Sequence, residues 1–214
     1  MADREAEITA RIAGGICQVD AAQWDRLGGS DDPFIGHAFL SLLEDSGSVG
    51  RGTGWTPLPV MVEREGRVTA AAPAYLKAHS QGEYVFGHSW ADAWERAGQA
   101  YYPKLQVSVP FTPCVGPRLL GDDRNALLAA LETVTVQNNL SSAHITFLER
   151  GEVASAEARG WLRRDGIQYH WLNRGYASFD EFLAALSSRK RKTIRRQRAA
   201  AVEGLEIFTL RGPE

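Results

Sequence analysis

The chain has 214 residues, 44% hydrophobic and 23% charged, with 24 Lys and Arg against 26 Asp and Glu and a formal net charge of −2. This is the composition of an ordinary globular protein of one large domain, or one domain plus part of another. Nothing in it approaches the roughly 18 apolar residues that span a bilayer, and Cys17 and Cys114 are too few and too far apart for a disulfide framework or a metal motif.

The N-terminus, Met-Ala-Asp-Arg-Glu-Ala-Glu, is charged and reads as neither a secretory signal nor an anchor, which implies a cytoplasmic protein with reduced thiols. Ile8–Ile12 is the first expected strand. Asp20 caps an expected helix over 21–27, closed by Gly28-Gly29, and a second helix follows Pro33 to about Ser46. The glycine-rich stretch 47–54 lacks the Gly-Lys-Ser/Thr ending of a phosphate-binding loop and reads as a connection. Two β runs, 58–64 and 68–76, flank a turn at Glu65-Gly66-Arg67.

Residues 77–117 are dense in aromatic residues, His and Pro and end in a strand over 105–109 and Thr112-Pro-Cys-Val-Gly-Pro-Arg118. Trp90 and Trp94 would share one face of a helix there, with Asp92 on another. Asp122 is the expected N-cap of a helix to about Asn139, with Leu127, Leu128, Leu131 and Val134 inward. A strand over 144–148, a short helix over 153–160 and a hairpin of 161–164 with 168–172 around Asp165-Gly166 come next. Ser178 caps a helix carrying Phe179, Phe182, Leu183 and Leu186 on one stripe, Gly204 closes the helix that follows, and 205–210 is a final strand.

Between Arg189 and Arg198, seven of ten residues are Lys or Arg; without them the balance would be 17 basic against 26 acidic. Like charges three and four apart destabilise a helix by a few tenths of a kcal/mol per pair, so this stretch calls for counter-charge from protein or ligand. A helical wheel puts Arg191, Arg195 and Arg198 together, with Lys192 and Arg196 beside them, opposite an apolar stripe.

Alternating helices and β runs with an early hairpin resemble the GNAT-like acyltransferase fold. Val115-Gly-Pro-Arg118 with the following helix and strand, and Ser188–Arg198 followed by Gly204-Leu-Glu-Ile207, resemble the Fem-type aminoacyltransferases. Gly82–Pro117, with Ser89-Trp-Ala-Asp92 and Tyr102-Pro-Lys104, resembles the FemAB-like "peptidoglycan biosynthesis/recognition" family of bacterial proteins. The resemblance implies an α/β (α+β) GNAT-like domain, a mixed central sheet flanked by helices, over 1–176. It also implies a basic helical connector over 177–203, and the start of a second such domain at 204–214. The implied activity is transfer of an acyl or aminoacyl group to an amine of a cell-wall-type or other small acceptor. The donor would be acyl-CoA or aminoacyl-tRNA rather than a tightly bound cofactor, with tRNA as a partner in the second case. The alternative is a non-catalytic domain that binds an anionic glycan precursor or RNA through the basic helix.

Acyl transfer to an amine needs a base, a positioned donor and groups for the oxyanion. Asp92, Glu83 and His88 are the candidate bases. Tyr84, Trp90, Tyr101, Tyr102, Lys104 and Arg118 are candidate substrate contacts, with Arg191, Lys192, Arg195 and Arg196 for phosphate. Where acetyl-CoA-binding GNAT members carry Arg/Gln-x-x-Gly-x-Gly/Ala, this chain reads Val115-Gly-Pro-Arg-Leu-Leu-Gly121, which speaks against acetyl-CoA in this half. The five histidines show no metal-ligand spacing and no metal is expected; Cys114 has no His placed beside it by spacing.

Overall fold

The computed structural model describes residues 8–28, 32–85, 87–210 and 212. Gly29 and the charged N-terminal heptapeptide lie outside them. The chain divides into two compact units, residues 1–166 and 167–214. The expected domain boundary at 176 falls inside the second.

The first unit holds two four-stranded sheets. β1 (Ile8–Ile12), β3 (Val60–Arg64), β4 (Arg67–Ala72) and β7 (Leu120–Gly121) form one, in the order β1-β3-β4-β7 and antiparallel throughout. β2 (Trp55–Pro57), β5 (Ala74–Lys77), β6 (Lys104–Val107) and β8 (Ala143–Ile145) form the other, in the order β2-β5-β6-β8. Its β6/β8 pair is parallel and is joined through α4 (Arg124–Gln137), as parallel neighbours require a crossover. The single β run expected over 68–76 is divided between the sheets at Pro73. Proline has no N–H to donate to a ladder; its carbonyl instead accepts the amide of Ser108 at 3.1 Å.

Alternation along these strands sorts side chains to two faces. Val60, Val62, Ala70, Ala72, Ala74, Leu105 and Val107 meet Leu127, Leu128, Leu131 and Val134 of α4 in one core. Met61, Val68 and Ala71 face the other way, against Trp24 of α1 (Ala21–Gly28), Leu40 of α2 (His37–Asp45), and Ile35 and Val109. Trp24 is 1% exposed and its indole N–H donates to the carbonyl of Ile35 at 2.8 Å, so burial leaves no polar group unpaired there. Asp123, not Asp122, sits at the N-cap of α4. Its carboxylate takes the Arg64 guanidinium at 2.5 and 3.0 Å rather than a helix amide.

α3 (Gly87–Arg96) and α5 (Arg150–Ala158) complete the first unit. The expected hairpin over 161–172 does not form, and neither 161–164 nor 168–172 is a strand. Period-two alternation specifies a strand only where a neighbouring edge supplies ladder partners, and Leu162, at 97% exposed, packs on none.

The second unit is α6 (Phe179–Ala184) and α7 (Ser188–Ala201) with flanking irregular chain; 205–210, expected as a strand, is irregular too. Ser178 caps α6 as expected, its hydroxyl accepting the Glu181 amide at 3.2 Å. The basic stretch is helical, but no apolar stripe anchors it: none of its residues is buried. The arginines themselves make its contacts with α6. Arg191 donates to the Ala184 carbonyl at 3.3 Å, Arg195 pairs with Asp180 at 3.2 Å, and the Arg198 guanidinium lies 4.4 Å over the Phe179 ring.

Candidate functional site

The strand β6 reads Lys104-Leu-Gln-Val107 and continues to Ser108. Leu105 and Val107 enter the α4 core, so Lys104, Gln106 and Ser108 share the opposite face, where each is buried. Register brings Lys77 of β5 opposite Lys104 and Tyr75 opposite Gln106, with Trp55 of β2 opposite Lys77 and His144 of β8 beside Gln106. A strip of polar and aromatic groups thus runs across one face of the second sheet.

Buried charge needs a partner. Lys104 has one: its Nζ lies 2.9 Å from Glu83 Oε2, and both side chains are 0% exposed. Lys77 has no carboxylate within ion-pair distance among the described residues. It donates to the Gln81 carbonyl at 2.9 Å and lies 3.6 Å over the Trp55 ring. The indole N–H of Trp55 shares that carbonyl at 3.1 Å. Tyr101 and Tyr102 stack edge to face, their rings 5.3 and 5.9 Å from Lys104 Nζ, and the Tyr102 hydroxyl bonds the Ser80 hydroxyl.

Burial dominates the electrostatics here, and two ammonium groups near one carboxylate modify it. Burial pulls Lys77 down to about 8 against the opposing attraction of Glu83, with Lys104 adding to the depression. Burial lowers Lys104 as well, again opposed by Glu83. His144 falls to about 4, through burial and the nearby charges of Lys104 and Arg164, so its imidazole is neutral at ordinary pH. Burial pushes Tyr102 up to about 12.

Among the described residues, five buried side-chain polar atoms have no hydrogen-bond partner, and three lie in this neighbourhood: Glu83 Oε1, Gln106 Oε1 and Ser108 Oγ. Orphaned acceptors at 0–2% exposure are costly, and a ligand bearing N–H or O–H donors would satisfy them. Ser80, Gln81, Glu83, Tyr101 and Tyr102 contact the lysines and aromatics of this face or one another.

Of the candidates read from the sequence the structure brings together Glu83, Lys104, Tyr101 and Tyr102. His88, Trp90 and Asp92 are on the exposed sides of α3, which turns Gly87 and Ala91 inward. Trp90 is covered by the Arg164 guanidinium at 5.3 Å, and Tyr84 is 64% exposed. Arg118 is 1% exposed and elsewhere, its guanidinium held by the carbonyls of Cys114 and Pro117 at 2.7 and 2.9 Å. In the second unit Arg191 and Arg195 serve the α6 contact. Lys192 and Arg196 have no hydrogen bond or ion pair among the described residues. Sequence reasoning missed Lys77, Gln106 and Ser108. The signal was present for two of them: Lys104-Leu-Gln-Val-Ser108 alternates polar and apolar residues, so Gln106 and Ser108 share a strand face with Lys104.

No helix among the described residues is long and apolar enough to cross a membrane, and none of their His, Cys, Asp and Glu side chains cluster as a metal site. No curated protein matches the chain. Among solved structures it is similar to the aminoglycoside N-acetyltransferase AAC(6')-Iy in complex with CoA. The identity is 10% and the TM-score 0.46, over 81% of this chain and 99% of that one. It is also similar to a ribosomal-protein-alanine N-acetyltransferase from Brucella melitensis biovar Abortus 2308, at 11% identity and a TM-score of 0.40, over 78% and 98%. The family described as FemAB-like, peptidoglycan biosynthesis/recognition, matches residues 15–214, and the chain, with its buried Lys–Glu face and its basic helix inside that span, belongs to it.

Proposed function

We propose that this chain is an N-acyltransferase that moves an acyl or aminoacyl group onto the amine of a cell-wall-type or other small acceptor, with the Lys77–Glu83–Lys104 cluster as its reacting wall. The supporting observation is Glu83: a carboxylate with one oxygen fixed by Lys104 at 2.9 Å and the other buried and free. In this reading the acceptor amine donates to Glu83 Oε1 and attacks the acyl carbonyl. The N–C bond forms as the bond to the leaving group breaks, and the amine proton passes through Glu83 to the leaving group. The Lys77 ammonium stabilises the oxyanion. The tyrosine pair orients the acceptor. Family membership supports an N-acyltransferase kind of activity; the cell-wall-type acceptor follows the family's description.

Acyl transfer to a panel of amines, measured on the full chain, tests this. Glu83→Gln and Lys104→Met are each expected to lower kcat/KM by about 10²-fold or more, with melting curves recorded to separate unfolding from lost chemistry. Retained transfer in both, with loss in Asp92→Asn, would move the base to α3.

A second reading rests on a different observation. Arg189, Lys190, Lys192 and Arg196 have no hydrogen bond or ion pair among the described residues, which suits recognition of an anionic glycan precursor or RNA. Salt-sensitive binding to such ligands by a protein inactive in transfer would favour it.

A further inference from the structure

The loop ahead of α4 carries an anion of its own. The backbone N–H groups of Arg118 and Leu119 converge on one atom, Glu152 Oε1, at 2.6 and 2.5 Å. The second oxygen of Glu152 accepts the Glu149 amide at 2.9 Å, closing a capping box at the start of α5. Glu152 is 1% exposed and more than thirty residues away in sequence from the amides it binds. Successive backbone N–H groups converging beside a helix N-terminus are how proteins hold phosphate. Here a side-chain carboxylate has that place.

The surroundings reinforce it. An open cleft of about 620 Å³ beside the loop is lined by Asp32, Asp122 and Glu149 against the single guanidinium of Arg124. The Asp32 carboxylate stands where a Cβ on Gly116 would be. Asp32, Asp122 and Glu149 outnumber Arg124 and the enclosed Arg118 guanidinium beside Asp32, and this excess of negative charge repels a diphosphate. Acyl-CoA would have to bring its pyrophosphate to amides already taken, past a negative rim.

We propose that Glu152 is a built-in occupant of the anion site ahead of α4, so that this unit does not hold the pyrophosphate of acyl-CoA there. The residues present do not fit that cofactor at the loop, and the acyl donor of the proposed reaction is held without this contact. The identity of the donor rests on the acyl-transfer reading; the occupied amide pair does not.

The test is binding, not turnover. Coenzyme A and inorganic pyrophosphate are titrated by calorimetry and by melting into the full chain, as wild type, Glu152→Ala and Glu152→Gln. Wild type is expected to show no saturable heat with coenzyme A and no rise in Tm with pyrophosphate. Glu152→Ala is expected to melt lower and to recover about 3 °C with saturating pyrophosphate, as the added anion replaces the missing carboxylate. Saturable coenzyme A binding by wild type overturns the proposal. So does a folded Glu152→Ala whose Tm ignores pyrophosphate. Should Glu152→Ala fail to fold, Glu152→Gln, which has no charge and one acceptor oxygen where the carboxylate serves backbone amides with two, must gain more from pyrophosphate than wild type; an equal response overturns it. A protein inactive in acyl transfer leaves every arm readable, so the two failures are distinguishable.

Discussion

Lys77 shows how one buried side chain writes itself into the whole protein's pH response. Its ammonium is fully enclosed, and burial lowers it from an ordinary 10.5 to about 8. Between those values the unfolded chain holds the proton and the folded chain does not, so stability rises with pH across the window. Below about 8 both states are protonated and the burial penalty is present in full. At 1.36 kcal/mol per unit the difference approaches about 3 kcal/mol. Tyr75, Tyr101 and Tyr102 are all pushed above their ordinary 10. They act in the opposite sense, but only from about pH 10 upward; beneath that, Cys17, raised from an ordinary 9.0, opposes the Lys77 effect and Lys104, lowered by burial, adds to it. Urea unfolding between pH 8 and about 9.5 is expected to show stability rising more steeply in wild type than in Lys77→Met, which keeps the lowered Lys104. Parallel profiles would remove Lys77 as the source.

Elements were legible where their partners are local. β1, the β3–β4 turn, α1, α4 and the Ser178 cap follow from alternation, period and capping, and their cores fell where Leu127, Leu128, Leu131 and Val134 pointed. Residues 161–172 and 205–210 have the same alternation and no ladder, because pairing is a property of two segments and a sequence pattern describes one. For the site, the aromatic stretch 82–104 was the right neighbourhood. Lys77 escaped notice because its partner position, Lys104, is set by register and not by spacing. The short strand β7 offers an element-level test. Gly121 has φ +80, and a Cβ there would press on the Thr69 carbonyl oxygen, a backbone atom that cannot swing away. Gly47 has a similar φ, +71, with nothing within 4 Å. Gly47→Ala should cost about 1–2 kcal/mol from backbone strain alone. Gly121→Ala, adding a collision, should cost about 3 kcal/mol or more and loosen the β4 edge. Equal losses by chemical denaturation would mean that β7 yields without resistance.

At the scale of the molecule, charge and burial divide along the same line. Residues 1–166 carry 15 Lys and Arg against 21 Asp and Glu, and residues 167–214 carry 9 against 5. The first unit contains both sheets and all three apolar clusters. In the second, Leu183 is the one buried residue among those described, and α7 is held to α6 by three arginine contacts that are themselves exposed. Exposed ion pairs contribute about 0–1 kcal/mol each and weaken with salt, whereas a core the size of the first unit's supports cooperative unfolding. Amide hydrogen exchange should therefore separate the units. The β3, β4 and α4 amides are expected to exchange only through global unfolding. Those of α7 should exchange through local opening at a free energy lower by several kcal/mol, and faster again as salt is raised. Protection of α7 equal to that of α4 would require a buried surface that its sequence, with Ile194 as its one large apolar residue before Ala199, does not supply.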